Sequence, residues 1–145
     1  MPTRTARTAW DGGLDDGRGQ VELTSSGAGT FDVSWPKRTS AEADGTTSPE
    51  ELVAAAHASC FAMQLSHEVA EAGGTPQTLE VTAEVAFDPD PGGGWKVSGI
   101  TITVRGEVEG LDTDGFARAA EQAKQGCPVS KALAAVPISL EVVEG

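Results

Sequence analysis

The sequence predicts an α+β fold in a single domain over residues 1–145. Three features carry this expectation. Short stretches of alternating apolar residues open the chain. A long helical segment with a marked start follows at Ser48. Two longer alternating stretches, a second amphipathic helix and a last alternating stretch complete it. Strands and helices in blocks, without strict β–α alternation, make an α+β pattern. A chain of 145 residues is long enough for one ordinary hydrophobic core. With 39% apolar and 22% charged residues, its composition is that of a globular protein.

The elements follow in order. Thr3 to Trp10 reads as a short strand, broken by Gly12-Gly13. Gln20 to Leu23 reads as a second, with Val21 and Leu23 on one face. Thr30 to Trp35 reads as a third, with Phe31, Val33 and Trp35 alternating. Pro36 ends this antiparallel meander, and residues 37–47 read as a polar loop. Ser48-Pro49-Glu50-Glu51 then starts a helix. Ser48 can cap it, Pro49 suits its first position, and Glu51 stands where a capping box places an acid. Both glutamates also suit the positive end of the helix dipole. The helix should run to about Ala72 and stop at Gly73-Gly74. It is apolar around most of its circumference as far as Leu65, so burial on nearly all sides is expected. Its run of Ala54-Ala55-Ala56 and Ala58-Ser59 would let another helix approach closely.

Thr78 to Phe87 alternates as a half-buried strand, and Asp88 to Gly94 is a turn. Trp95 to Val108 is a long strand with Ile100, Ile102 and Val104 inward. Asp112 can cap a helix over 113–125, with Phe116, Ala119, Ala120 and Ala123 as its apolar stripe and Gly126 as its stop. Pro128 opens a helical turn through Leu133, and Ile138, Leu140 and Val142 alternate in a last strand.

Charge and composition narrow the function. A net charge of −12 argues against nucleic acid and anionic membrane as partners. No stretch approaches the roughly 20 apolar residues that span a bilayer. No apolar segment follows Met1 to Arg7, so no signal peptide is read and the cytoplasm is expected. In that compartment two cysteines are more often catalytic, metal-binding or buried than a lasting structural disulfide. Cys60 and Cys127 with His57 and His67 add up to a Cys2His2 set, but the spacings match no familiar finger and no zinc is expected.

Cys60 lies on the long helix, three residues after His57. Buried filler and reactive thiol are both open to it. A third reading makes His57 the base of a cysteine hydrolase. Cys127 lies between Gly126 and Pro128 at a helix start, where N–H groups lower a thiol pKa; there too, filler after a glycine stop is the alternative. Lys37, Arg38, Glu50 and Glu51 supply charges near the start of the long helix. Singly, each reads as a solvated surface charge. An arginine beside a thiolate, held by a carboxylate, would instead stabilise the sulfur and meet a peroxide oxygen.

Three segments together resemble one family: Thr47 to Leu52, Ala54 to Met63 with its His57 and Cys60, and Ala123 to Lys131 with its Gly-Cys-Pro-Val-Ser run. They resemble the OsmC/Ohr organic hydroperoxide reductases, and the OsmC branch in particular. The resemblance implies an intertwined homodimer, with antiparallel sheets around two long central helices and active sites at the subunit interface. It implies a thiol peroxidase that reduces organic hydroperoxides, and hydrogen peroxide less efficiently. Cys60 would be the attacking thiol, Cys127 the resolving thiol and Glu50 the carboxylate that orients the arginine. That arginine falls on Arg38, with Arg18 as the alternative position. The reductant would be an external dithiol, of lipoyl or similar type, with no metal or other cofactor. A thiol redox sensor is the other reading of the same pair.

Overall fold

The computed structural model describes residues 1–143. They form two compact units that divide between Leu52 and Val53.

The N-terminal unit is built on a three-stranded antiparallel meander. It comprises β1 (Arg7–Asp11), β2 (Arg18–Glu22) and β3 (Thr30–Val33), in the order β1-β2-β3. The expected strands are present with shifted ends: β1 starts at Arg7, and β3 stops at Val33. The chain does not remain extended to Trp35. Ser34 takes an extended backbone, its hydroxyl accepts the Lys37 N–H at 3.3 Å, and a helical turn α1 (Trp35–Arg38) replaces the expected loop. Pro36 does not block this turn, because a first-turn residue needs no donor. The long helix α2 (Pro49–Glu71) begins in this unit. The Ser48 hydroxyl accepts the Glu51 N–H at 3.1 Å, as a cap should. The reciprocal half of the expected capping box differs, since the Glu51 carboxylate takes the Thr47 hydroxyl.

The C-terminal unit holds the larger core. β4 (Thr75–Pro89) and β5 (Trp95–Glu109) form a long antiparallel hairpin. Phe87 and Trp95 stack near its tip, with ring centroids 4.9 Å apart. The helices α3 (Thr113–Gly126) and α4 (Pro128–Ala132) carry the chain across to β6 (Ile138–Val143). β6 pairs parallel with β5, from Ile100 opposite Ile138 to Arg105 opposite Val143. A crossover through helices allows this parallel pairing, which a tight turn could not reach. Asp112 caps α3 as expected, its carboxylate accepting the Gly115 N–H at 2.7 Å.

The core gathers Phe61, Leu65 and Val69 of α2, Ile100, Ile102 and Val104 of β5, and Phe116, Ala119, Ala120 and Ala123 of α3. Burying a side chain such as Phe61 or Leu65 contributes about 1.5–3 kcal/mol. The α2 residues in this core recur every four positions, one above another along a single stripe. α2 is therefore not buried on nearly all sides within one chain, contrary to expectation. Ala55, Ala56, Ser59 and Met63 are exposed, Met63 by 74%. The physical reason is that this core covers one side of the helix only.

α2 ends as its glycines predict. Gly73 takes φ +91°, its N–H bonds the Ala70 carbonyl at 3.0 Å, and Gly74 N–H bonds that of Val69 at 2.9 Å. Among the described residues no helix is long and apolar enough to cross a membrane.

Candidate active site

In the C-terminal unit α2 brings two functional side chains inward. His57 is fully buried at the head of the core stripe, and Cys60, one turn on, is half-buried. Cys127 arrives from the junction of α3 and α4 and is fully buried. It ends one helix and starts the next. Its N–H donates to the Ala123 carbonyl at 2.8 Å, and its carbonyl accepts the Lys131 N–H at 3.0 Å. Gly126 before it packs closely, since a Cβ there would lie 2.9 Å from the Gln64 amide nitrogen and move that side chain. The two sulfurs, 67 residues apart in sequence, lie 3.3 Å from each other, both as free thiols.

Pro128 has no N–H, so the first donors that α4 presents belong to Val129 and Ser130. The Val129 backbone favours the charged form of Cys60. Ser130, one helical turn after Cys127, is buried beside it in α4 and favours its charged form. The two thiols consequently differ. Burial pushes the Cys60 thiol up, and contact with Cys127 adds to this, while Val129 offsets part of it. Burial also opposes ionisation of Cys127, but the Ser130 donors, the Cys60 thiol and Val129 together hold it below the ordinary thiol range. Of the two, Cys127 is thus the thiol whose pKa is lowered. This is the lowering expected from its place at a helix start, although the expected mechanism had put the thiolate on Cys60.

His57 makes no hydrogen bond to Cys60. Its Nε2 lies 2.7 Å from the Ser130 hydroxyl, and Nδ1 is buried without a partner. Burial holds its pKa below the ordinary histidine value, so the ring is neutral. The cysteine-hydrolase reading loses its nucleophile–base contact on this geometry. His67 is exposed on α2, and among the described residues no cluster of His, Cys, Asp and Glu is arranged to hold a metal ion.

The N-terminal unit carries the second constellation. Arg38 closes α1, and Glu50 stands in the first turn of α2. The Arg38 Nε donates to both Glu50 oxygens at 3.1 Å, and its Nη2 donates to Oε1 at 2.7 Å. The guanidinium also lies 5.8 Å from the centre of the Trp35 ring. Glu50 is buried, which a carboxylate tolerates only when paired. A planar fork gripped along one edge and resting on a ring points in a defined direction. Trp35 and Arg38 line an apolar cavity of about 410 Å³ with Trp10, Leu14, Val21 and Leu52.

The other nearby charges are arranged differently. Lys37 pairs with Asp44 at the surface. Arg18 is exposed on β2 opposite Asp11, and lines a different cavity with Asp15, Asp16 and Asp32. Two contributors were missed at the sequence level. Ser130 was noted as part of a motif but given no task, although it stands one helical turn after Cys127. Trp35 was read as a strand residue, although it stands three positions before Arg38.

Comparison with known proteins identifies the family and the fold. Residues 42–141 match the family described as OsmC-like protein. The chain is 38% identical over 126 residues to Peroxiredoxin OsmC of Escherichia coli, covering 87% of this chain and 86% of that one. The solved structure of the organic hydroperoxide resistance protein OhrB of Bacillus subtilis superposes with a TM-score of 0.75 at 30% identity, covering 96% of this chain and 98% of that one. That of the organic hydroperoxide resistance protein OsmC of Legionella pneumophila gives 0.78 at 27% identity, covering 98% and 97%.

Proposed function

The chain belongs to the OsmC family, and from that premise we propose how it reduces peroxides. It is a cysteine-based peroxidase. Its substrates are organic hydroperoxides, with hydrogen peroxide a poorer one, and the whole chain acts as one domain. The observation that carries the reading is the 3.3 Å approach of Cys60 to Cys127.

Cys60 is the attacking thiol because it is the less enclosed of the two. It passes its proton to the Cys127 thiolate in contact with it. Arg38, aimed by Glu50, stabilises the charge that then develops on the Cys60 sulfur at the subunit interface of a homodimer. The thiolate attacks one peroxide oxygen, the O–O bond breaks, and the alkoxide leaves with the proton held by Cys127. Cys60 is now a sulfenic acid. The Cys127 thiolate attacks its sulfur, the S–S bond forms, and hydroxide leaves to become water. The two electrons that reduce the peroxide come from the two thiols. An external dithiol, of lipoyl or similar type, restores both by exchange, with no metal or prosthetic group.

The apolar cavity beside Arg38 favours an organic group over water on the far side of the peroxide. A second copy of the chain is the natural cover for the exposed alanine face of α2. A cytoplasmic location suits a mechanism that needs reduced thiols.

The test is consumption of cumene hydroperoxide with dithiothreitol. Wild type turns over. Cys60→Ser is inactive, and Cys127→Ser reduces one equivalent and then stalls or over-oxidises. Full activity in Cys60→Ser would sink the mechanism.

A further inference from the structure

We propose that Trp35 is the residue by which this site tells an organic hydroperoxide from hydrogen peroxide, because one indole ring both walls the apolar cavity and steadies Arg38. The inference deepens the peroxidase reading above and rests on it. The cavity lies wholly within the N-terminal unit. Its volume of about 410 Å³ falls within the range of small-molecule pockets, about 300–1,000 Å³. Two residues of its wall, Trp10 at 41% and Leu14 at 57%, present apolar surface to solvent rather than to a core. The Trp10 indole N–H already donates to the Gly12 carbonyl at 3.2 Å, so that ring offers the cavity no donor. Among the described residues that line it, Arg38 alone carries a charge. A fitting occupant is therefore apolar over most of its surface and polar where it meets the guanidinium. That is the chemistry of an alkyl or aryl hydroperoxide, and hydrogen peroxide lacks the apolar part.

Trp35 opens α1 and Arg38 closes it three residues later, so the two side chains share a face. Glu50 holds the guanidinium along one edge, through Nε and Nη2. Bonds along an edge do little to resist tilting out of the plane, whereas a ring against the flat face does. The Trp35 ring supplies that contact, its centre 5.8 Å from the Arg38 guanidinium carbon. A cation–π contact strengthens when water is removed from around it. An organic group lodged in the cavity covers the ring and displaces that water, so Arg38 is held most firmly when the substrate is organic. Hydrogen peroxide has no such group and leaves the ring wet. Binding of the remote part of the substrate is in this way turned into stabilisation of the transition state, which appears in kcat and not in KM alone.

The experiment compares initial rates for cumene hydroperoxide and hydrogen peroxide, each with dithiothreitol and with the uncatalysed rate subtracted. Trp35→Leu keeps an apolar wall and removes the ring. It should lower kcat/KM about 30-fold for cumene hydroperoxide, the worth of a desolvated contact, and about two- to fivefold for hydrogen peroxide, the worth of a wet one. The preference for the organic substrate thus falls about tenfold, with kcat for cumene hydroperoxide falling too. Trp35→Phe retains a ring and should remain within about threefold of wild type for both substrates. Leu14→Ala trims the exposed wall, leaves the ring in place and should raise KM for cumene hydroperoxide by about fivefold. An unchanged preference in Trp35→Leu overturns the proposal, as does a Trp35→Phe variant that behaves like Trp35→Leu. Should Trp35→Leu fail to fold, an unchanged KM in Leu14→Ala overturns it. A wild type that consumes neither peroxide overturns the peroxidase reading, and the proposal with it.

Discussion

Replacing Glu50 by glutamine tests whether the direction of Arg38 matters. The substitution keeps size and shape while removing the charge and one acceptor. Of the three N···O contacts of 3.1, 3.1 and 2.7 Å, the two to Oε1 can persist on a neutral amide oxygen, while the one to Oε2 is lost because an amide nitrogen there would face a guanidinium that has only donors. At about 4 Å between charge centres, a pair in surroundings of effective dielectric near 20 attracts by about 4 kcal/mol. The Arg38 side chain is 31% exposed, so water takes over part of that interaction, whereas Glu50 at 10% is well shielded. A net loss of about 1.5–3 kcal/mol remains, the usual worth of a hydrogen bond to a charged group. If Arg38 must hold its aim for the Cys60 sulfur to take charge, that loss enters the barrier. The fall in kcat/KM is then about 10- to 150-fold.

The assay is the initial rate of cumene hydroperoxide consumption with excess dithiothreitol, accompanied by a thermal melt. Tm should fall by about 2–4 °C for each kcal/mol lost, leaving the variant folded at the assay temperature. Arg38→Lys should lose activity to a similar extent, since a point charge cannot take the carboxylate by one edge. A Glu50→Gln enzyme with wild-type kcat/KM would refute the role given to this pair.

Two further outcomes are expected. The exposed face of α2 should bury itself against a second chain, so light scattering should report twice the 14.8 kDa chain mass. Met63→Glu should shift it toward a single chain, and a wild type that is monomeric at micromolar concentration would remove the dimer from the mechanism. Acid should destabilise the protein through His57. The folded state disfavours the charged ring, so the unfolded chain takes up the proton first, near the ordinary value of 6.5. This contribution is complete above that pH and is lost below it, by up to about 1.4 kcal/mol per pH unit until the folded ring titrates. His57→Gln should therefore show a flatter Tm profile than wild type between about pH 6.5 and 5, and parallel profiles would contradict a buried neutral histidine.

Much of the fold was legible because local rules decide it. Ser48-Pro49 starts α2, Gly73 ends it, Asp112 caps α3, and the alternation in β5 sets which residues face the core. Each of these depends on residues a few positions apart. The α1 turn was misread because apolar alternation through Phe31, Val33 and Trp35 continued past the point where Ser34 caps a helix. Periodicity outweighed a weak cap signal in a segment too short for either to be decisive. The all-round burial expected of α2 is not reached within one chain, because composition reports which faces are apolar, not what lies against them.

The candidate site divides along the same line. The sequence by itself determined which residues were available: two thiols in marked contexts, an arginine before the long helix and a glutamate in its first turn. The tertiary structure decided their relations. It set Cys60 and Cys127 in contact across 67 residues, turned His57 toward Ser130 and away from Cys60, and joined Arg38 to Glu50 across 12. It also shifted the two thiols in opposite directions, Cys127 down and Cys60 up. A hydrogen bond and a thiol pKa depend on distances of a few ångströms. No spacing along the chain encodes such distances until the helices and strands between have packed.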